Sequence, residues 1–256
     1  MLIITKINTK FKEVGLINLI KLIVRYPFVR VNFFSKRLRW MFITNQEVSK
    51  VFKTIYEKNI WASNESVSGD GSEKAYTENL RTWLIDSIPK YQITTIVDSP
   101  CGDFNWMRYV LPHVSVKYIG LDIVEELIQV NIDKYSSEAI NFKKLNIISE
   151  PIPSCDLLIV RDCLFHFSYK DINNFLENIK NTDYKYLLTT SHIVDRSFEN
   201  TDIRTGDFRI INLFKYPFNF VEDNIIETVK DYPENHSNPK NMILIKKEFV
   251  PNHISL

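Results

Sequence analysis

Two acids and one glycine stand at spacings that suit a nucleoside. Asp98 closes the apolar run ITTIVD (93–98), Gly102 follows in IVDSPCGDFNW, and Asp122 ends a second run, VKYIGLD (116–122). A glycine where a strand turns toward a helix lets backbone approach a ligand. An acid ending the next strand can accept hydrogen bonds from two ribose hydroxyls. The competing reading makes Asp98 a helix cap and Asp122 a plain strand-end acid. A second group follows later apolar runs: Asp162 and His166 in RDCLFHF (161–167), and His192 after YKYLLTTS (184–191). These side chains can hold or move a proton, imidazole best near neutral pH. For His166 the alternative is a structural histidine at a helix entry, bonded to backbone. Arg161 and Arg209, with Tyr216, could hold an anion, because a guanidinium offers paired donors to phosphate or carboxylate. A solvated surface role is the alternative for each arginine. No HExxH or similar ligand spacing occurs, so no catalytic metal is predicted.

These residues need a scaffold that brings strand ends together. Short β-branched runs alternate with helical patterns from residue 93 onward. Strands are predicted at 93–98, 116–122, INFKKLNI (140–147), CDLLIVRD (155–162) and 184–191, with helices at FNWMRYVL (104–111), 124–135 and KDINNFLENIK (170–180). Such alternation implies parallel pairing with right-handed crossovers. NIIETVKDY (224–232) and NMILIKKEF (241–249), joined by a turn-rich segment, read as a closing hairpin. The expected fold is therefore α/β: a Rossmann-like open, mostly parallel seven-stranded sheet ending in an antiparallel hairpin, with an N-terminal helical extension. Upstream, residues 47–61 look helical, ESVSGDGS (65–72) reads as a loop, and 73–88 as an amphipathic helix with Ser72 as its N-cap.

The charge is divided along the 256 residues. Residues 1–45 carry nine Lys/Arg and one acid, Glu13, for a net of +8, while the remainder carries 23 bases and 30 acids. The basic arm is also apolar (VGLINLIKLIV, 14–24), but Lys21, Arg25 and Arg30 interrupt any membrane span, and no signal-peptide cleavage pattern follows. Residues 1–60 are read as a basic amphipathic extension and 61–256 as the main domain. Through 1–45 the extension either packs on the body or a second subunit (a homo-oligomer), or lies on an anionic membrane surface. An acidic body argues against a nucleic-acid partner. Three cysteines with no CxxC pair exclude a disulfide framework and favour a reducing compartment. The expected location is cytoplasmic, with peripheral contact at the inner membrane surface as the alternative.

The stretch IVDSPCGDF (96–104) resembles the first motif of class I S-adenosylmethionine-dependent methyltransferases, an acid followed by a glycine-rich turn containing CG. Asp98 matches the acid, Cys101 and Gly102 the CG pair, and GLD (120–122) the ribose-binding acid. RDCLFHF resembles the fourth-strand motif and its following loop. The likeness covers about residues 65 to 250. Pro100 and Phe104 depart from it, standing where that family often has glycine. More narrowly, WASNESVSGDGS (61–72), DSPCGDFNWM (98–107) and GDFRIINLFKYPFNF (206–220) resemble a bacterial subgroup linked to capsule polysaccharide modification.

The resemblance implies S-adenosylmethionine as cofactor and methyl transfer to a small, anionic acceptor, by O-methylation of a phosphorylated or sugar-linked precursor of a bacterial surface glycan, with a phosphate or phosphoramidate oxygen as one acceptor it suggests. It places the donor on Pro100, Cys101, Gly102 and Asp103 at the turn, Trp106 beyond it, Asp122 and Ile123 at the ribose, and Asn146 and Ile147 near the adenine. Asp103 at the helix start would repel a pyrophosphate and suits the donor's ammonium; helix capping is its alternative role. Ser72, Tyr76, Arg81 and Arg161 complete the set, Arg81 reaching the donor carboxylate and Tyr76 covering the adenosine. His166 is the first choice for general base, ahead of Asp162 and His192, because its loop faces the donor in that family. Two rival readings stand beside this one: a nicotinamide-dependent oxidoreductase or epimerase, and a non-catalytic docking protein that keeps the fold.

Overall fold

The computed structural model describes residues 43–61, 63–234 and 236–255, so the basic arm lies outside the described residues except for its last three. The chain divides into two compact units, 1–46 and 47–256. The second holds every element below.

Strand β4, Cys155–Val160, is buried along its whole length, as expected for a central parallel strand covered on both faces. Alternation along it serves two cores: Leu158 and Val160 pack with Ile172, Phe175 and Leu176 on one side, and Leu157 and Ile159 with Leu80, Leu84 and Met107 on the other. The remaining strands are β1 Thr95–Asp98, β2 Lys117–Asp122, β3 Ile140–Lys144, β5 Tyr184–His192, β6 Ile225–Lys230 and β7 Lys240–Lys246. They form one seven-stranded sheet in the order β3-β2-β1-β4-β5-β7-β6. The pairings from β3 through β5 are parallel, and β7 runs antiparallel to both β5 and β6. The expected sheet and hairpin are both present. Chain order reverses at β1, which lies between β2 and β4, and a crevice opens beyond the carboxyl ends of strands at such a switch point.

Among the described residues four helices flank the sheet: α1 Val48–Glu57, α2 Glu78–Lys90, α3 Glu125–Tyr135 and α4 Tyr169–Lys180. Glu125 and Glu126 in the first turn of α3 complement its dipole. The Ser168 hydroxyl caps α4 by accepting from the Asp171 N–H at 3.1 Å.

Several local expectations are corrected. The predicted helix at 104–111 is instead two short 3₁₀ turns, Met107–Tyr109 and Leu111–His113. Phe104 has a left-handed φ of 58°, and Pro112 supplies no N–H to extend a helix. Ser72 does not cap α2: it ends a 3₁₀ turn, Asp70–Ser72, and α2 begins only at Glu78 after Thr77. The Thr77 hydroxyl donates back to the Glu73 carbonyl at 3.0 Å, a local bond that competes with helix continuation there. Helix α1 stops at Glu57, four residues before the expected end, and Asn59 follows with a φ of 51°. Strand β3 ends at Lys144, because Leu145 to Glu150 form a turn in which the Asn146 side chain accepts from the Ile148 N–H at 3.0 Å.

Candidate functional site

A cavity partly open to solvent lies at the carboxyl ends of β1, β2 and β4. Its floor is the turn after β1, where the Ser99–Pro100 peptide is cis and Gly102 has a φ of 55°. The Cys101 N–H donates to the Leu121 carbonyl at 2.8 Å, tying the turn to β2. Asp122 accepts from two backbone amides, Gly102 at 3.2 Å on Oδ2 and Val124 at 3.0 Å on Oδ1. A carboxylate has about four acceptor positions, so these amide bonds leave capacity for a ligand. Burial raises Asp122 to about 6 against those amide bonds. Ile123, Leu127, Leu145 and Ile147 form an apolar wall beside it, with Asn146 at its edge.

The loop at 65–72 is stapled over this turn. The Ser66 hydroxyl lies 3.0 and 2.9 Å from the two oxygens of Asp103, and the Val67 N–H donates to Oδ2 at 3.0 Å. In return the Asp103 N–H donates to Ser68 Oγ at 3.0 Å. Asn105 Nδ2 donates to Glu65 Oε1 at 2.6 Å and to the Ser72 carbonyl at 3.0 Å. A Cβ on Gly102 would lie 2.4 Å from Ser68 Oγ, so the loop fits only over a glycine with left-handed backbone. Gly102→Ala is expected to cost about 1–2 kcal/mol from the backbone alone and to lift residues 65–72. Denaturant melts and limited proteolysis check this; wild-type behaviour in both refutes it.

The opposite wall carries the charges. Asp162 follows β4 with a φ of 50°, an unfavourable conformation for a non-glycine residue that is retained where surroundings impose it. Lys240 donates to its Oδ2, Arg161 Nη1 stands 3.5 Å away, and the Thr190 hydroxyl lies 3.2 Å from Oδ1. These cations hold the carboxyl well below the usual range despite burial. Arg161 is committed elsewhere too: Nε and Nη2 bond Asp231 at 2.9 and 3.0 Å, and Nη2 bonds the Gly71 carbonyl at 2.6 Å. Two cations and two carboxylates therefore form a neutral buried cluster. Asp162 is ionised throughout the working range, which suits it to receive a hydroxyl or ammonium and makes it a poor proton acceptor.

His166 sits at the end of the 3₁₀ turn Leu164–His166 and lines the cavity, its ring stacked 4.4 Å from Trp61. Nδ1 lies 2.8 Å from the Asp207 carbonyl. A carbonyl can only accept, so the proton is on Nδ1 and the Nε2 lone pair is available. Desolvation by the surrounding rings lowers the imidazole to about 4, against the Asp207 hydrogen bond and the Asp162 charge.

Of the residues expected from sequence, Ser72, Pro100, Cys101, Gly102, Trp106, Asp122, Ile123, Asn146, Ile147, Arg161, Asp162 and His166 line this one cavity. Others stand apart from it. Asp98 is buried below the turn, accepting from the Tyr118 hydroxyl at 2.8 Å, with Oδ1 unpartnered; burial raises it to about 7. Asp103 spends its carboxylate on the loop at 65–72. Arg81 turns back along its own helix to Thr77 and the Lys74 carbonyl. Tyr76 faces the charge cluster, 5.1 Å from Lys240 Nζ. His192 is buried against Phe165 and the Ile211 backbone. Arg209 is buried under Tyr169, and Tyr216 is 62% exposed. Lys240, Asp231 and Thr190 were not anticipated, since isolated polar residues within or beside apolar strand patterns carry no motif.

No family model matches the chain, and no curated protein matches it in sequence. Solved structures match it in shape. A methyltransferase from Leishmania major, described as S-adenosylmethionine-dependent, aligns with a TM-score of 0.57 at 13% identity, over 80% of this chain and 89% of that one. Magnesium protoporphyrin IX methyltransferase from Synechocystis PCC 6803, solved with bound S-adenosylhomocysteine, aligns at 0.51 and 10% identity over 75% and 93%. The fold is that of the class I methyltransferases. Human N-acetylserotonin methyltransferase, solved with S-adenosylmethionine, aligns at 0.48 and 14% identity over 75% of this chain, which spans 61% of that protein's length. Within this methyltransferase fold, the turn after β1 and the end of β2 make one half of the cavity. The ends of β4 and the His166 turn make the other. Among the described residues no helix is long and apolar enough to cross a membrane, and no group of three potential ligands could hold a metal.

Proposed function

We propose that the chain is an S-adenosylmethionine-dependent methyltransferase that O-methylates a small phosphorylated or sugar-linked precursor of a bacterial surface glycan. The observation that carries the reaction type is His166, a neutral imidazole whose Nε2 lone pair is available in the same cavity as the Gly102 turn and Asp122. The donor fits the residues present. Asp122 keeps acceptor capacity for a ribose hydroxyl, Gly102 permits close backbone approach, and Ile123, Leu127 and Ile147 offer an apolar slot for a base. When bound, that donor supplies an activated methyl group on a sulfonium.

The protein's part is alignment and proton removal. Nε2 of His166 takes the acceptor's hydroxyl proton, while the Nδ1–H bond to Asp207 holds the ring in the basic tautomer. Asp162, fixed by Lys240 and Arg161, accepts a second hydrogen bond from the acceptor and steadies the imidazolium as it forms. The acceptor class rests on the likeness of 61–72, 98–107 and 206–220 to capsule-modifying enzymes. All three cysteines are free and buried, which suits a cytoplasmic enzyme.

Calorimetry on the full chain tests the reading. S-adenosylhomocysteine should bind with micromolar affinity and NAD should give no heat; the reverse result supports an oxidoreductase, and no binding of either supports a docking protein. Labelled methyl transfer to a panel of sugar phosphates then tests the acceptor class.

A further inference from the structure

Three cations are buried among the described residues: Arg161, Lys240 and Arg209. The first two are paired within the Asp162–Asp231 cluster. Arg209, only 6% exposed, is not: Nε, Nη1 and Nη2 all lack a hydrogen-bond partner. Its guanidinium carbon lies 5.1 Å from the centre of the Tyr169 ring, and the Tyr169 hydroxyl is also buried without a partner. The neighbouring carboxylate, Asp202, is engaged on Oδ1 by the Tyr169 and Ile203 amides, at 2.7 and 2.8 Å. A buried charge without hydrogen bonds is costly to fold, and the face of one tyrosine ring offsets only part of that cost. Unused donors gathered at one place point to a missing acceptor.

The surrounding segment is joined to the proposed base. The Arg209 N–H donates to the Phe165 carbonyl at 3.2 Å and the Gly206 N–H to the His166 carbonyl at 2.7 Å, while the Asp207 carbonyl receives His166 Nδ1–H. Arg161, the other arginine expected to hold an anion, has its donors taken by Asp231, Gly71 and Asp162. We propose that Arg209 and the Tyr169 hydroxyl, which lie outside the lining of the cavity but next to the segment that holds His166, form an oxyanion-binding site, for a phosphate or carboxylate, that anchors the charged end of a methyl acceptor reaching past His166. The site deepens the methyltransferase reading and rests on it for the identity of its ligand. A guanidinium fork plus one hydroxyl matches the oxygens of either anion, and holding that end fixes the direction from which an acceptor hydroxyl approaches Nε2.

The test uses the full-length protein in calorimetric titration and thermal melts with inorganic phosphate, methyl phosphate and acetate, each against chloride at equal ionic strength. Methyl phosphate or acetate should bind and raise the wild-type melting temperature. Arg209→Met should lose the response and melt, without anion, no lower than wild type, because an unpaired buried charge has been removed. Tyr169→Phe, which keeps the ring, should weaken anion binding about tenfold and covers the case in which Arg209→Met fails to fold. Equal responses in wild type and the variants overturn the site. Binding of inorganic phosphate alone overturns the acceptor role, since an esterified group must then be excluded. A parallel titration with S-adenosylhomocysteine separates the two failures: donor binding without anion binding sinks this site only, and anion binding without donor binding sinks the methyltransferase reading.

Discussion

His166→Asn should lower kcat by roughly 10²- to 10⁴-fold, the usual worth of a positioned general base, while leaving S-adenosylhomocysteine affinity within about twofold. Asparagine is the informative replacement because its amide nitrogen can stand where Nδ1 stands and keep the bond to the Asp207 carbonyl. What it lacks is the Nε2 lone pair. The same argument sets the pH profile. With donor saturating, kcat/KM for the acceptor should be level above about pH 5 and fall below it, as protonation at about 4 fills the lone pair. Of the groups facing the imidazole, Asp162 is held ionised by Arg161 and Lys240 and does not titrate in this window. Arg209 and Lys240 both disfavour the imidazolium. Asp122 at about 6 and Asp98 beneath the turn at about 7 lie on the side proposed for the donor, and their protonation should appear in donor affinity. Labelled methyl transfer to a sugar-phosphate acceptor reads both limbs. A variant within threefold of wild type, or a limb near 6.5 assigned to His166, would remove it as the base.

The fold was legible because its signals are local. Apolar runs of four to six residues ending in Asp98, Asp122 and Arg161 mark buried parallel strands, and their ends mark the crevice. That Cys101, Gly102 and Asp122 share one cavity could be read for the same reason: they lie within about twenty positions, at the ends of two adjacent strands, so spacing along the chain reports proximity in space. The failures are equally physical. The helix expected at 104–111 has suitable spacing, but a left-handed Phe104 and the stapled loop draw its backbone bonds elsewhere. Arg81 has the right type at a plausible distance from the turn, yet Thr77 and the Lys74 carbonyl satisfy it first. Lys240 and Asp231 could not be found at all. Their partners lie 78 and 70 positions away in sequence, and only the antiparallel insertion of β7 between β5 and β6 brings them to the end of β4.

That long-range cluster carries the second large effect. Asp231→Ala should destabilise the protein by about 3–5 kcal/mol, the range for breaking a buried ion pair from one side. At roughly 2–4 °C per kcal/mol for a domain of this size, the melting temperature should drop by roughly 6–20 °C. The Asp231 side chain is fully buried between Arg161 Nε at 2.9 Å and Lys240 Nζ at 3.6 Å. Deleting it leaves two buried cations against the single carboxylate of Asp162. The loss should also be functional. With Asp231 gone, Arg161 and Lys240 both turn to Asp162, occupying the acceptor positions it offers to the cavity. At temperatures where the variant remains folded, acceptor KM should rise while S-adenosylhomocysteine affinity changes little, because Asp122 and the Gly102 turn belong to the other half of the site. A double variant, Asp231→Ala with Lys240→Met, removes one charge of each sign and should recover part of the lost stability. Chemical denaturation of the single and double variants decides the matter. A single-variant loss below about 1 kcal/mol, or strict additivity in the pair, would show that the cluster is not coupled and that Asp162 is held in place by Thr190 and backbone alone.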